Sequence, residues 1–255
     1  MLRSLKQILG YQLMAKDKNL GKVMDFYFDD QFRTVRYLVA DTGTWLPGRR
    51  VLIAPASVGE PVWVEQLVPL DLTSQEIENS PGIQEDLPIS MRKEAELARY
   101  YGWPQYWEPF VGLGHGAQPH IPVPPDLSAD ETEQAESASE HLRSVSEILS
   151  YSIQARDDGL GEVNDLIAET DNWQIRMIVI KTGSWLSGRE LLLPEEHVES
   201  IDWVEHLVRL SLSAEELMNS PEFDPTEPIN SELEVRVYDY YGRPVPKQPK
   251  PDVAP

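Results

Sequence analysis

The sequence contains no cysteine, which excludes a disulfide framework, a thiolate metal site and a thiol nucleophile. It has no apolar run near the roughly 20 residues that a membrane-spanning helix needs. Its start, MLRSLKQILGYQ, lacks the apolar stretch and small-residue cleavage site of a secretory leader. Basic residues are scarce: 22 Lys and Arg against 43 Asp and Glu give a formal net charge of −21. So acidic a chain has little long-range attraction for phosphate backbones or anionic lipid surfaces, so no nucleic-acid partner is expected. GxSxG, HExxH, P-loop and dinucleotide-type glycine patterns are also missing. The expectation is a non-enzymatic, cytoplasmic protein without cofactor or metal.

What is present is a duplication. Residues 42–49 read TGTWLPGR and residues 182–189 read TGSWLSGR. Sliding the chain by 140 positions aligns Leu2–Gly102 with Leu142–Gly242 without a gap, with roughly 39 identities in 101 positions. The matches include LRS at both starts, LGxVxD around Asp25 and Asp165, WVExLVxLxL from Trp63 and Trp203, NSP at Asn79 and Asn219, and YYG at Tyr100 and Tyr240. A period this long is a whole domain, far beyond a solenoid unit. The repeats set four segments: 1–107, a linker 108–140, 141–245, and a Pro-rich tail 246–255. The linker is Gly- and Pro-rich, then acidic, and reads as partly stiff and partly unable to order alone. Charge is uneven, at 12 − 14 = −2 over 1–107 and 10 − 22 = −12 over 142–255.

Within each copy the pattern is mainly β. TVRYLVAD and QIRMIVIK read as central strands. LVPLDLT and LVRLSLS alternate apolar and polar residues. KDKNLGKV and RDDGLGEV read as turns into strands, with Gly21 and Gly161 at close approaches. Helices are short and expected late: Thr73 with Glu76, and Ser213 with Glu216, form capping boxes stopped by Pro81 and Pro221. A second helix is expected from Ser90 to Tyr101 and from Ser231 to Tyr241, before Gly102 and Gly242. Several short strands followed by little helix indicate a small closed or half-open β-barrel.

The order LxSxxxILGYxL, DxxLGxVxDxxFDD, RYLVxDTGxWLPGRxVLIxP and LxLTxxxIxNSP resembles the PRC-barrel, the barrel of the photosynthetic reaction centre H subunit and of the C-terminal domain of a ribosome-maturation factor. The resemblance covers about 80 residues of each copy, and the extension PIS…E…YYGWPQYW is similar to that of bacterial tandem PRC-barrel proteins. It implies two small β-barrels with short C-terminal helices, serving docking roles without catalysis. The second copy departs from the pattern at YYGRPVPKQ and at Ser187.

Several residues are candidates for function. Trp45, Arg49, Trp185 and Arg189 of the octapeptides either plug a barrel mouth, the Arg pairing with a carboxylate, or form a docking edge, since Trp and Arg are enriched in binding hot spots. Trp103, Tyr106 and Trp107 of YYGWPQYW either fold back over the barrel or anchor a partner. Asp25 and Asp165 are barrel-edge acids that can accept hydrogen bonds or hold a cation, and Asp29–Asp30 reads as a solvated turn. His115 and His120 make a poor metal site without a third ligand. The leading expectation is a protein-docking or small-ligand module whose two barrels take protein partners, different for each. A homo-oligomer and an accessory subunit of a membrane electron-transport or photosynthetic complex remain open. Membrane association is expected only through a partner.

Overall fold

The computed structural model describes residues 1–43, 46, 49–82, 89–107, 141–183, 188–226 and 229–246. The strands in chain order are β1 (Leu2–Ser4), β2 (Gln12–Met14), β3 (Asn19–Asp29), β4 (Thr34–Asp41), β5 (Arg50–Ile53), β6 (Leu67–Pro69), β7 (Leu142–Ser144), β8 (Ser152–Gln154), β9 (Gly159–Glu169), β10 (Gln174–Thr182), β11 (Glu190–Pro194), β12 (Val198–Asp202) and β13 (Leu207–Leu210). The helices are α1 (Leu5–Ile8), α2 (Ser74–Glu78), α3 (Met91–Tyr101), α4 (Val145–Ile148), α5 (Ala214–Met218) and α6 (Ser231–Tyr240). The protein is mainly β, as the sequence pattern indicates.

The chain divides into two compact units, Ile8–Ser144 and Met1–Gln7 with Val145–Pro255. In the first-copy unit the curled sheet runs β6-β2-β3-β4-β5, with β2 and β6 parallel and the other pairs antiparallel. The edge of β3 that carries β2 at Lys22 also carries β7 at Tyr27–Asp29, in the register Tyr27↔Ser144, Phe28↔Arg143, Asp29↔Leu142. The second-copy unit repeats this as β12-β13-β8-β9-β10-β11. There β1 takes the equivalent place on β9, in the register Leu2↔Glu169, Arg3↔Ala168, Ser4↔Ile167.

Each unit therefore holds the first strand of the other copy. The boundaries 1–107 and 141–245 follow the repeats, whereas the compact units exchange those strands. The chain passes between units at Gln7–Ile8 and Ser144–Val145. The segment read as an inter-domain linker, 108–140, lies outside the described residues, but Trp107 before it and His141 after it belong to the same unit.

Local sequence explains the elements. Both capping boxes are formed: Thr73 and Ser213 accept from the amides of Glu76 and Glu216, whose carboxylates accept in return from the Thr73 and Ser213 amides at 2.7 and 2.8 Å. Helix α3 is capped by the Ser90 side chain and ends at left-handed Gly102. One expectation needs correction. Helices are not confined to the end of each copy, because α1 and α4 follow the first strands directly, whereas LVPLDLT keeps the expected alternation, with Val68, Leu70 and Leu72 buried and Asp71 exposed. Gly21 has φ +131 inside β3, and a Cβ there would stand 1.9 Å from the Asp41 carbonyl oxygen; the same atom at Gly161 would stand 2.1 Å from that of Lys181. The repeated Leu-Gly is thus required by the approach of adjacent strands.

In the second-copy unit the core gathers Ile167, Met177, Val179, Leu192, Phe223, Val237 and Tyr238, and Leu2 of the exchanged strand packs against it. In the first-copy unit the corresponding strands bury Phe26, Phe28, Leu38 and Ile53.

Candidate functional site

The paired acids Asp25 and Asp165 hold the exchanged strands. Asp165 is buried and accepts from the Lys6 and Leu166 amides at 2.9 and 2.7 Å and from the Ser4 hydroxyl. Ser4 in turn accepts from the Gln7 amide at 2.9 Å, so one hydroxyl caps the first turn of α1 and fastens β1 to β9. Asp25 repeats the arrangement with the Phe26 amide at 2.8 Å and the Ser144 hydroxyl at 2.5 Å. Flanking bonds match as well: Thr170 donates to the Met1 carbonyl, and Asp30 to that of His141. Burial pushes the Asp165 carboxyl up to about 6 against the opposing effect of its donors, chiefly Ser4. The two acids are strand receptors built into the barrel edge.

The acidic turn is likewise more than a solvated one. Asp29 is buried, accepting from the Gln31 and Phe32 amides at 2.9 and 3.0 Å and from Arg36 at 3.4 Å. Its neighbour Asp30 meets His141 at 3.1 Å and Arg143 at 3.4 Å beside the incoming β7.

Of the octapeptide residues, Trp45 and Trp185 lie outside the described residues. Arg49 has an internal task, donating to the Glu78 carbonyl at 2.7 Å, to the Ser80 hydroxyl at 2.8 Å and to the Ser80 carbonyl. A cation on the carbonyl end of α2 is favoured by those unpaired acceptors. Arg189 makes the matching bond to the Met218 carbonyl at 3.2 Å. Among the described residues the partners are backbone carbonyls and the Ser80 hydroxyl, where one reading of the sequence has a carboxylate.

The aromatic run after α3 is folded onto its own unit. Trp103 is 8% exposed, donates from Nε1 to the Ser57 hydroxyl at 2.7 Å and stacks on Tyr101 at 4.2 Å. Tyr106 donates to Glu94 at 2.9 Å beneath the Arg36 guanidinium, 4.0 Å from its ring, and Trp107 meets it edge-on at 4.8 Å. Glu94 is only 1% exposed and also accepts from Tyr37 at 2.8 Å. Burial pushes its carboxyl up to about 7, opposed by the two phenols and Arg36, and burial also raises Tyr37 and Tyr106. Glu94 was not singled out from the sequence, although it stands three and four residues before buried Leu97 and Ala98, on the apolar side of the helix. The second copy keeps Glu234 and Arg176 at the equivalent places but has Met177 for Tyr37 and Pro246 for Tyr106.

The most exposed apolar side chains that recur in both copies among the described residues sit on a turn. Val64 is 92% and Val204 is 88% exposed. The first turn is closed by Val62 donating to the Leu67 carbonyl at 2.8 Å and Gln66 to that of Trp63 at 3.2 Å, the second by Asp202 accepting from the Val204 and Glu205 amides. Behind each tip a Trp meets a Tyr edge-on: Trp63 with Tyr11 at 6.4 Å and Trp203 with Tyr151 at 5.6 Å. The turns are thus closed by hydrogen bonds and present an apolar tip beside Glu65 or Glu205. Their signal in the sequence is the unchanged WVE of the repeat.

A family model for the PRC-barrel domain matches residues 2–59 and again 140–215, which is more than half of the 255 residues. The chain belongs to the PRC-barrel family. Both PRC-barrel matches begin at or just before an exchanged strand, so the strand that opens each family unit along the chain is the one delivered to the other barrel. No curated protein matches this PRC-barrel chain. Among the described residues no helix is long and apolar enough to cross a membrane.

Proposed function

We propose that this chain is a non-catalytic docking protein whose two PRC-barrels present the Trp63–Val64 and Trp203–Val204 turns to protein partners. The observation that carries this reading is the near-complete exposure of Val64 and Val204 on turns otherwise tied down by hydrogen bonds. An apolar tip on a turn closed by hydrogen bonds loses little conformational freedom on binding, and the adjacent Trp supplies the amphipathic area typical of binding hot spots. Glu65 and Glu205, together with the net charge of −21, favour a partner pocket that is apolar with a basic rim. The sequence difference between the copies, −2 against −12, supports separate partners, and their union in one chain adds avidity or bridges two proteins.

Val64→Asp and Val204→Asp in the full chain test this. Each should shift stability by no more than about 0.5 kcal/mol, as for ordinary surface substitutions. Each should also remove its own set of co-purifying proteins, measured by quantitative pull-down beside the unmodified chain. Unchanged capture by both variants would reject the turns as docking sites. Loss of the same proteins from both would reject divided partners while keeping the sites.

A further inference from the structure

The edge of β9 between Asp165 and Glu169 and the edge of β3 between Asp25 and Asp29 accept the same tripeptide, Leu-Arg-Ser, in the same register. Each makes the same Ser-to-Asp hydrogen bond and the same flanking backbone bond to the residue before the tripeptide. Neither edge takes the strand of its own copy. The part of recognition shared by the two sites is local, a backbone ladder, one leucine and one hydroxyl aimed at a buried carboxylate, while the flanks differ: Asp171 meets the Met1 ammonium at the second-copy site and Asp30 meets His141 and Arg143 at the first. A second copy of the same chain carries the same tripeptide with the same flanking residues, and so can supply all of these contacts to the second-copy edge.

We propose that these edges are transferable strand-docking sites, and that at high concentration the second-copy site takes the Leu2–Ser4 strand of a second copy of this chain, giving a strand-exchanged dimer. The contacts made within one chain and between two are the same, so the choice is set by effective concentration. The strand held by its own chain wins when the protein is dilute, and the second copy competes as concentration approaches the millimolar range typical of tethered modules. An element already lent between two copies in one chain is the type of element that exchanges between protomers. The free edge it covers would otherwise pair with whatever strand is available.

The absence of cysteine makes the test direct. Arg3 and Ala168 face each other across the pair. Full chains carrying Arg3→Cys are mixed with chains carrying Ala168→Cys, unfolded, refolded together at about 0.5 mM or about 5 μM, and oxidised; the higher value approaches the tethered concentration. A product of twice the chain mass, cross-linked between residues 3 and 168 and at least about ten times more abundant at the higher concentration, is expected. The double variant Arg3→Cys/Ala168→Cys should close within one chain when dilute. Because either cysteine can disturb folding, unmodified chains with and without heavy-isotope labelling are refolded together and weighed by native mass spectrometry, where a mixed dimer is expected only from the concentrated sample. Cross-links confined to single chains at every concentration, or dimers joined elsewhere than residues 3 and 168, overturn the proposal.

Discussion

Deleting residues 1–4 will destabilise the unit built from the second copy, by about 4 kcal/mol, and change the unit built from the first copy far less. The deletion removes the three ladder residues of β1, the packing of Leu2 on the core around Met177 and Tyr238, and the Ser4 hydroxyl bound to Asp165. A hydrogen bond to a charged group is worth about 1.5–3 kcal/mol, and its loss leaves a buried carboxylate short of a donor. The partial burial of Leu2 adds about 1 kcal/mol, below the value for a fully buried aliphatic side chain, and the lost ladder bonds add about 1 kcal/mol more. Hydrogen exchange with the two units resolved is the measurement: amides of β9 and β10 should exchange faster, while β3 and β4 keep their protection. Replacing Leu142–Ser144 by Gly-Ser-Gly should do the reverse. Faster exchange in β3 and β4 after the N-terminal deletion would contradict the exchanged pairing.

The second large effect is a pH dependence centred on Glu94. Its ordinary value is 4.5 and burial pushes it up to about 7, so between these values the folded state holds a proton that the unfolded state has lost. Stability therefore falls as pH rises from about 4.5 to about 7 and levels off above, in contrast to the usual salt-bridged carboxylate. At 1.36 kcal/mol per pKa unit the span is about 3 kcal/mol. Glu94→Gln keeps an acceptor for Tyr37 and Tyr106 without the charge, and should flatten this part of the profile and stabilise the protein at pH 8. Asp165, also raised by burial, contributes in the same direction between 3.8 and about 6, so the quantity to read is the difference between Glu94→Gln and the unmodified chain across pH. Parallel profiles would show that Glu94 stays ionised in its buried site.

The sequence made some of this legible and concealed the rest for identifiable reasons. The duplication, the central strands β4 and β10 and both capping boxes rest on local signals that tertiary context did not override: β-branched runs, a capping hydroxyl with Glu three residues on, and Pro81 or Pro221 after the helix. The strand exchange was hidden because the two tripeptides are identical. Leu2-Arg3-Ser4 and Leu142-Arg143-Ser144 satisfy either edge equally, so composition and register hold no preference for own or other copy. Asp25 and Asp165 could be recognised as edge acids, but their partners lie 119 and 161 positions away. Glu94 was concealed by residue type, since a glutamate in MRKEAELARYY reads as surface unless its helical phase is followed to Leu97 and Ala98. The Trp63–Val64 turn was visible as an unchanged WVE, while its exposure follows from turn geometry that the repeat alone does not specify.

The exchange also bears on how such a gene can change. A tandem duplication normally leaves two copies free to be lost, shortened or recombined one at a time. Here a deletion that removes either copy takes with it a strand of the survivor, and a crossover between Trp107 and His141 parts each barrel from one of its own strands. Only a change that preserves a Leu-Arg-Ser donor for each Asp-bearing edge leaves a complete barrel. A single surviving copy keeps its own Leu-Arg-Ser and one Asp-bearing edge, so it completes a barrel only by turning that strand back onto itself, an arrangement the tandem chain does not use.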